Sequence, residues 1–363
     1  MSPSGPALSP ASPPDPIKLQ AFMGRAVGDM GAALHAVLIT LGDRLGLYKA
    51  MADGQPVTPG ELAKRTGTSE RYVQEWLNAN AASGYVLYEP DSKTFSLPPE
   101  QALALAIEDS PAFLPGAFQI VSACFHDAPR LEEAFRTGAG VGWHEHHHEL
   151  FRGTERFFRP GYLANLTTAW IPALDGVEQK LQRGGKVADV GCGLGASTLL
   201  MAKAYPASEF FGFDYHPESI RLAQAAAARE GLSDRIHFEI APAKSYPGKG
   251  YDLVAFFDCL HDMGDPTGAA AHVHSTLKSD GTWMIVEPFA EDATESNHNP
   301  IGRVFYSAST MLCVPASLSQ EVGAAMGAQA GEKRIREVVL AGGFRHFRRA
   351  TQTPFNLIFE ATP

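Results

Sequence analysis

The sequence predicts an α/β fold in its second half, a doubly wound and mostly parallel sheet behind a smaller helical domain. Three observations lead there. Short apolar runs at Lys186–Val190, Glu209–Asp214, Ile236–Ile240, Tyr251–Phe257 and 281–287 alternate with helix-patterned stretches such as 218–230 and 267–277. The first run opens into a loop with glycine at 191, 193 and 195, followed by helix-like residues 197–204. The second run, Phe210-Phe-Gly-Phe, ends on the carboxylate Asp214. Parallel strands alternating with helices make such a sheet, and its ligands bind at the carboxyl ends of the strands. The last residues, His346 to Thr351 and Phe355 to Ala361, read as two strands around Pro354.

Each remaining stretch is bounded in turn. The 363 residues suggest two domains. Residues 1–15, rich in Pro and Ser, are expected to be disordered. No window reads as apolar enough to span a bilayer, and no signal peptide opens the sequence. The net charge of −10 argues against a general nucleic-acid binder. Cys124, Cys192, Cys259 and Cys313 fit no zinc or disulfide spacing and read as reduced thiols of a cytoplasmic protein.

Residues 17–50 read as helical and apolar around most of the circumference, hence buried, with another subunit as the candidate cover. Thr58 and Pro59 can start a helix, Gly67 turns the chain, and Ser69 can cap a second helix. Gly84 to Pro90 and Thr94 to Leu97 form a hairpin around Asp91-Ser-Lys. Two helices and a hairpin make a winged helix. Its second helix, Glu70–Ala82, carries Arg71 as its only basic residue against Glu70 and Glu75. Phosphate neutralisation needs several basic groups on one face, so a dimerisation and lid role fits better than DNA reading.

Residues 101–180 read as connecting helices. Trp143-His-Glu-His-His-His-Glu149 invites a zinc reading, since His144 with His147 or His148 has helical spacing. No third ligand follows in pattern, so no metal is assigned.

The glycine loop departs from the dinucleotide spacing G-x-G-x-x-G, because position 196 is alanine. G-x-G-x-G with Asp189 before it instead resembles motif I of the class I S-adenosylmethionine-dependent methyltransferases. The order winged helix then α/β domain resembles plant-type small-molecule O-methyltransferases and a related actinobacterial group. The resemblance implies a Rossmann-like seven-stranded sheet closed by an antiparallel hairpin, and S-adenosylmethionine as cofactor. The domains then run as a tail at 1–16, a winged-helix domain at 17–105, a helical linker at 106–180 and the methyltransferase domain at 181–363.

The resemblance also carries roles onto residues. The backbone of Gly191, Cys192 and Gly193, with Gly195 closing the loop, faces the methionine part of the cofactor. Asp189 orients the loop or a water near the cofactor amine. Asp214 binds the ribose with Tyr215 near the adenine, and Asp258 or its backbone meets the amino-acid moiety. Tyr162 lies on a helix over the cofactor, although helix packing explains it equally well. The acidic adenine reader of the family is missing, since the stretch reads Ile240-Ala-Pro-Ala-Lys244.

Phe256-Phe-Asp-Cys-Leu-His-Asp-Met resembles the segment in which a His-Asp pair follows a strand. The general base carried over is His261. An imidazole titrates near neutral pH and accepts a proton from an attacking hydroxyl. Glu287 is placed to hold its other nitrogen, and Asp262 is read as a cap for the short helix after the loop. Residues 299–318, with Phe305, Tyr306, Met311 and Cys313, suit an apolar lining for a flat or greasy acceptor. The expected activity is O-methylation of a small molecule by a homodimer. The alternatives are a cofactor-binding winged-helix regulator without catalysis, or an N- or C-methyltransferase.

Overall fold

The computed structural model describes residues 13–363. Most of the expected disordered tail, residues 1–12, lies outside them. The chain divides into two compact units meeting at Ala106 and Ile107.

The first unit begins with the long helix α1 (Pro16–Arg44), whose start Asp15 caps by accepting from Ile17 N at 2.9 Å. Then come α2 (Pro59–Thr66), α3 (Glu70–Ala82), the hairpin β1 (Leu87–Glu89) and β2 (Thr94–Ser96), and α4 (Pro99–Leu105). Thr58 and Glu61 form a reciprocal capping box at α2, and Gly67 ends that helix at φ +67°. Ser69 holds the capping position of α3, but its side chain makes no capping bond. Asn80, fully buried, accepts from Tyr48 Oη at 2.7 Å and ties the helices together.

One expectation for the front helix needs correction, and its expected burial is not met within the chain itself. Only His35, Ala36, Ile39, Thr40 and Gly42 of α1 are buried, while Phe22, Met23, Val27, Met30, Leu34, Val37 and Leu41 are exposed. By length and composition α1 is also apolar enough to cross a membrane, contrary to the reading that no window is. The sequence pattern told that the helix is apolar, and the exposed face shows that nothing within this unit covers it.

The second unit opens with α5 (Pro115–Thr137), α6 (Glu149–Asn165) and α7 (Val177–Gly184). A seven-stranded sheet follows, in the order β5-β4-β3-β6-β7-β9-β8. Its strands are β3 (Lys186–Val190), β4 (Glu209–Asp214), β5 (Ile236–Ile240), β6 (Tyr251–Phe257), β7 (Leu277–Pro288), β8 (His346–Gln352) and β9 (Asn356–Thr362). β9 alone runs against its neighbours. β7 starts four residues before the expected position because α10 (Pro266–Thr276) passes straight into it. The other helices are α8 (Ala196–Ala204), α9 (Pro217–Arg229), α11 (Pro300–Ala308), α12 (Val314–Leu318) and α13 (Gly331–Ala341).

Alternation along the strands splits the core into two layers. Val187, Phe210, Leu253 and Met284 pack on one face with α7 to α9. Ala188, Phe213, Val254 and Ile285 pack on the other with α10 and α13. Each buried Phe or Leu contributes about 2–3 kcal/mol. The register pairs Val190 with Phe213 and Phe256, and Phe257 with Val286. The carboxyl ends of β3, β4, β6 and β7 therefore finish level, and the chain turns where the order reverses between β3 and β6.

Candidate active site

Four strand ends deliver the site. β3 hands over to the glycine loop, where Gly191, Gly193 and Gly195 have φ of +75°, +52° and +82°. A Cβ at 191 would stand 2.9 Å from Cys259 Sγ, and one at 195 would stand 2.7 Å from the Phe238 ring. Glycine is required at both for space and conformation alike. Cys192 turns its side chain into the core, so it offers backbone to the cleft.

Asp189 is buried at the end of β3. Its Oδ2 accepts from Ser197 Oγ and Thr198 Oγ1, both at 2.6 Å, and so pins the first turn of α8. Its Oδ1 is buried without a partner, and burial lifts the carboxyl to about 6. Asp214, at the end of β4, accepts from Gly193 N at 2.9 Å through Oδ2 and from His216 N at 2.9 Å through Oδ1. Burial raises its carboxyl as well. Tyr215 is half exposed with its ring edge-on to His144 at 6.1 Å.

Asp258 follows β6 in a left-handed conformation, φ +51°. Its oxygens accept from Asn356 Nδ2 at 2.9 Å and Tyr162 Oη at 3.4 Å. Burial, and then the nearby Glu287, hold its carboxyl well above the ordinary range. Tyr162, on α6, is buried against Phe257 and reaches the site only through that hydroxyl.

His261 and Glu287 meet. Nδ1 of His261 lies 2.5 Å from Glu287 Oε2, and Glu287 Oε1 accepts from Leu260 N at 3.0 Å. His261 Nε2 lies 3.0 Å from Asp262 Oδ1. Burial alone would lower the imidazole pKa, but the carboxylates of Asp262 and Glu287 outweigh it and hold the imidazole well above 6.5. Asp262 is not the helix cap. Asp265 caps α10, accepting from Gly268 N at 2.8 Å.

The histidine tract does not form the expected helical face. Residues Trp143–Glu145 make one short 3-10 turn, and the chain is extended at His146. His146 is buried against Asp127 at 2.8 Å, whereas the side chain of His148 is largely exposed. The His147 ring lies 4.3 Å from that of His126 and 4.2 Å from that of His148.

The cleft can hold a cationic nucleoside. Its floor is bare backbone, Asp214 carries further lone pairs for two ribose hydroxyls, and the orphaned oxygen of Asp189 suits an ammonium or a water.

A family model described as a methyltransferase domain matches residues 181–333. The match supports an S-adenosylmethionine-dependent methyltransferase. A second model, described as an Rv2258c-like winged HTH domain, matches residues 32–106 of this methyltransferase. Ajmaline N-methyltransferase of Rauvolfia serpentina is 29% identical over 113 residues, which are 31% of this chain and 38% of that protein. Trans-aconitate 2-methyltransferase of Streptomyces avermitilis is 36% identical over 70 residues, 19% of this chain and 26% of that one. The chain thus spans well under half the length of these curated relatives.

The fold extends over nearly the whole chain. Human N-acetylserotonin methyltransferase in complex with SAM superposes with a TM-score of 0.69 at 17% identity, covering 94% of this chain and 97% of that one. An O-methyltransferase family protein of Burkholderia thailandensis gives 0.69 at 16%, covering 97% and 99%.

Two residues of the site escaped the sequence reading, and a third was given another role. Asn356 is a lone polar residue opening an apolar strand, a signal that was available. Phe238, which walls Gly195, carries no such signal. Asp262 was seen, but its direction depends on a side-chain torsion that spacing does not report.

Proposed function

We propose that this methyltransferase moves the methyl group of S-adenosylmethionine to a hydroxyl of a small apolar or aromatic acceptor, with His261 as general base. The observation that carries the reading is the contact of His261 Nδ1 with Glu287 Oε2 at 2.5 Å. It leaves Nε2 as the proton acceptor and gives the imidazolium formed in the reaction a buried counter-charge. The acceptor hydroxyl takes the place that Asp262 holds at Nε2.

Bound S-adenosylmethionine supplies a methyl group already activated on sulfonium, so the residues around it mainly align and exclude water. Gly191 to Gly195 and Asp214 hold the nucleoside, Asp189 and Asp258 take the amino-acid end, and Tyr215 flanks the adenine. Buried Phe305, Leu312 and Cys313, with half-buried Tyr306 and Met311, offer the acceptor an apolar wall. Homodimerisation covers the exposed face of α1. Free cysteines fit a reducing, cytoplasmic setting.

The regulator reading has less support. Arg71, the only basic residue of α3, is engaged by Glu75 at 2.5 Å, and a mobility-shift assay at low salt tests it directly. An amine acceptor would not need a base of this kind. The deciding measurement is transfer of labelled methyl by His261→Ala, which should fall about 100-fold with S-adenosylhomocysteine affinity kept. Undiminished transfer would remove His261 from the role and favour N-methylation.

A further inference from the structure

The mechanism above uses Nε2 of His261 as base and gives its neighbours Asp262 and Cys313 no part in the proton transfer. A ring nitrogen of His261, a carboxylate oxygen of Asp262 and Cys313 Sγ all lie within 4.8 Å of one another, and Nε2 is the nitrogen that faces Asp262 Oδ1 at 3.0 Å. We propose that these three side chains form a site for a thiophilic divalent cation of the zinc class, and that the bound cation silences methyl transfer. The silencing clause rests on the reading of His261 as base, since one lone pair on Nε2 cannot serve both cation and proton.

The surroundings resemble a prepared site more than a chance cluster. Donor atoms around a tetrahedral zinc stand about 3.3–3.8 Å apart, from Zn–N and Zn–S lengths of about 2.0 and 2.3 Å. The 3.0 Å from Nε2 to Asp262 Oδ1 and the 4.8 Å limit bracket that spacing. Apart from His261 Nε2 at 3.0 Å, the buried Asp262 Oδ1 has no polar partner among the described residues. A carboxylate on the far nitrogen of a ligating histidine fixes its tautomer and raises its basicity, and Glu287 stands there.

The two halves of the site are braced together. Ser317 Oγ donates to Met263 O at 2.8 Å, Gln320 Nε2 to Asp262 O at 3.0 Å, and Gly264 N to Gln320 Oε1 at 3.1 Å. Cys313 closes a π-helical turn, Ser309–Cys313, which joins α11 to α12 and re-aims its side chains. Sulfur, imidazole nitrogen and carboxylate together select zinc over magnesium or calcium. Three protein donors leave a fourth position toward the acceptor pocket. On binding, the thiol gives up its proton to solvent and a sulfur–metal bond forms, as does any second proton on His261.

Cobalt(II) is the probe, because a thiolate ligand adds a sulfur-to-metal charge-transfer band. The full chain, stripped with chelator and saturated with S-adenosylhomocysteine, is titrated with cobalt and then zinc. A band at one equivalent, displaced by zinc and absent in Cys313→Ser, is the expected result. Zinc affinity of Cys313→Ser should fall at least tenfold while it still binds S-adenosylhomocysteine, which establishes folding. No band, or an equal band in Cys313→Ser, overturns the site. In turnover, zinc should inhibit the parent chain and a chelator restore it, each variant being scored against its own metal-free rate. Cobalt binding without inhibition overturns the silencing. Full activity of His261→Ala would instead sink the base, and the cobalt band would still report on the site.

Discussion

The side-chain amide of Asn356 donates to Asp258 Oδ1 at 2.9 Å and ties the antiparallel strand β9 to the end of β6. That bond and the longer one from Tyr162 are what keep a strained, buried carboxylate facing the cleft. Asn356→Ala leaves it a single donor. Affinity for S-adenosylhomocysteine should fall about tenfold, the scale of a lost hydrogen bond. Isothermal calorimetry reads this, and unchanged affinity would place Asp258 outside the cofactor site.

The pH dependence has a fixed sign. Asp262 and Glu287 hold His261 protonated to a pH above that of an ordinary imidazole. Only its neutral form accepts a proton, so kcat/KM should rise with pH along a limb centred above 6.5. The same shift stabilises the fold fully below 6.5, and this contribution is lost as pH rises through the raised pKa. An acid limb at or below 6.5 would contradict the electrostatics described. Glu287→Gln removes one of the two negative charges and should move the limb toward lower pH.

Gly195 is the least replaceable residue of the loop. Its φ of +82° and the Phe238 ring 2.7 Å from an added Cβ penalise alanine twice. Gly195→Ala should cost about 1–3 kcal/mol, which is several degrees of Tm in a domain of this size, and weaken cofactor binding. Gly193→Ala has open space and meets only the backbone penalty, so it should lose less in a thermal melt.

The apolar face of α1 predicts association. Phe22, Met23, Met30 and Leu34 are each more than half exposed, which is unusual for a face this long in a monomer. Sedimentation equilibrium should give a dimer, and Met30→Glu with Leu34→Glu should shift it to monomer. A parent chain that sediments as a monomer, or partitions onto neutral vesicles instead, would reject the second copy as what covers this face.

Much of the catalytic unit was legible in the sequence, and the reasons are specific. β3, β4, β5 and β6 match their expected limits because each is a short apolar run closed by Gly, Asp or Pro signals. The histidine and the glutamate could be paired on paper because both follow adjacent strand ends. What stayed hidden depends on three-dimensional packing. Periodicity identifies α1 as apolar without saying what covers it. The residues around His144 carry helical spacing, yet the buried bond from Asp127 to His146 holds that stretch open. The second carboxylate at His261 was invisible because neighbours in sequence seldom face each other in a tight turn.

The bond from Gly193 N to Asp214 has one last consequence. The carboxylate proposed for the sugar also braces the loop proposed for the methionine, so the protein's own bond holds the proposed site in shape. A nucleoside entering it should find little to rearrange. Its capture should therefore be fast, and cutting this one brace should blur recognition of both ends of the ligand together.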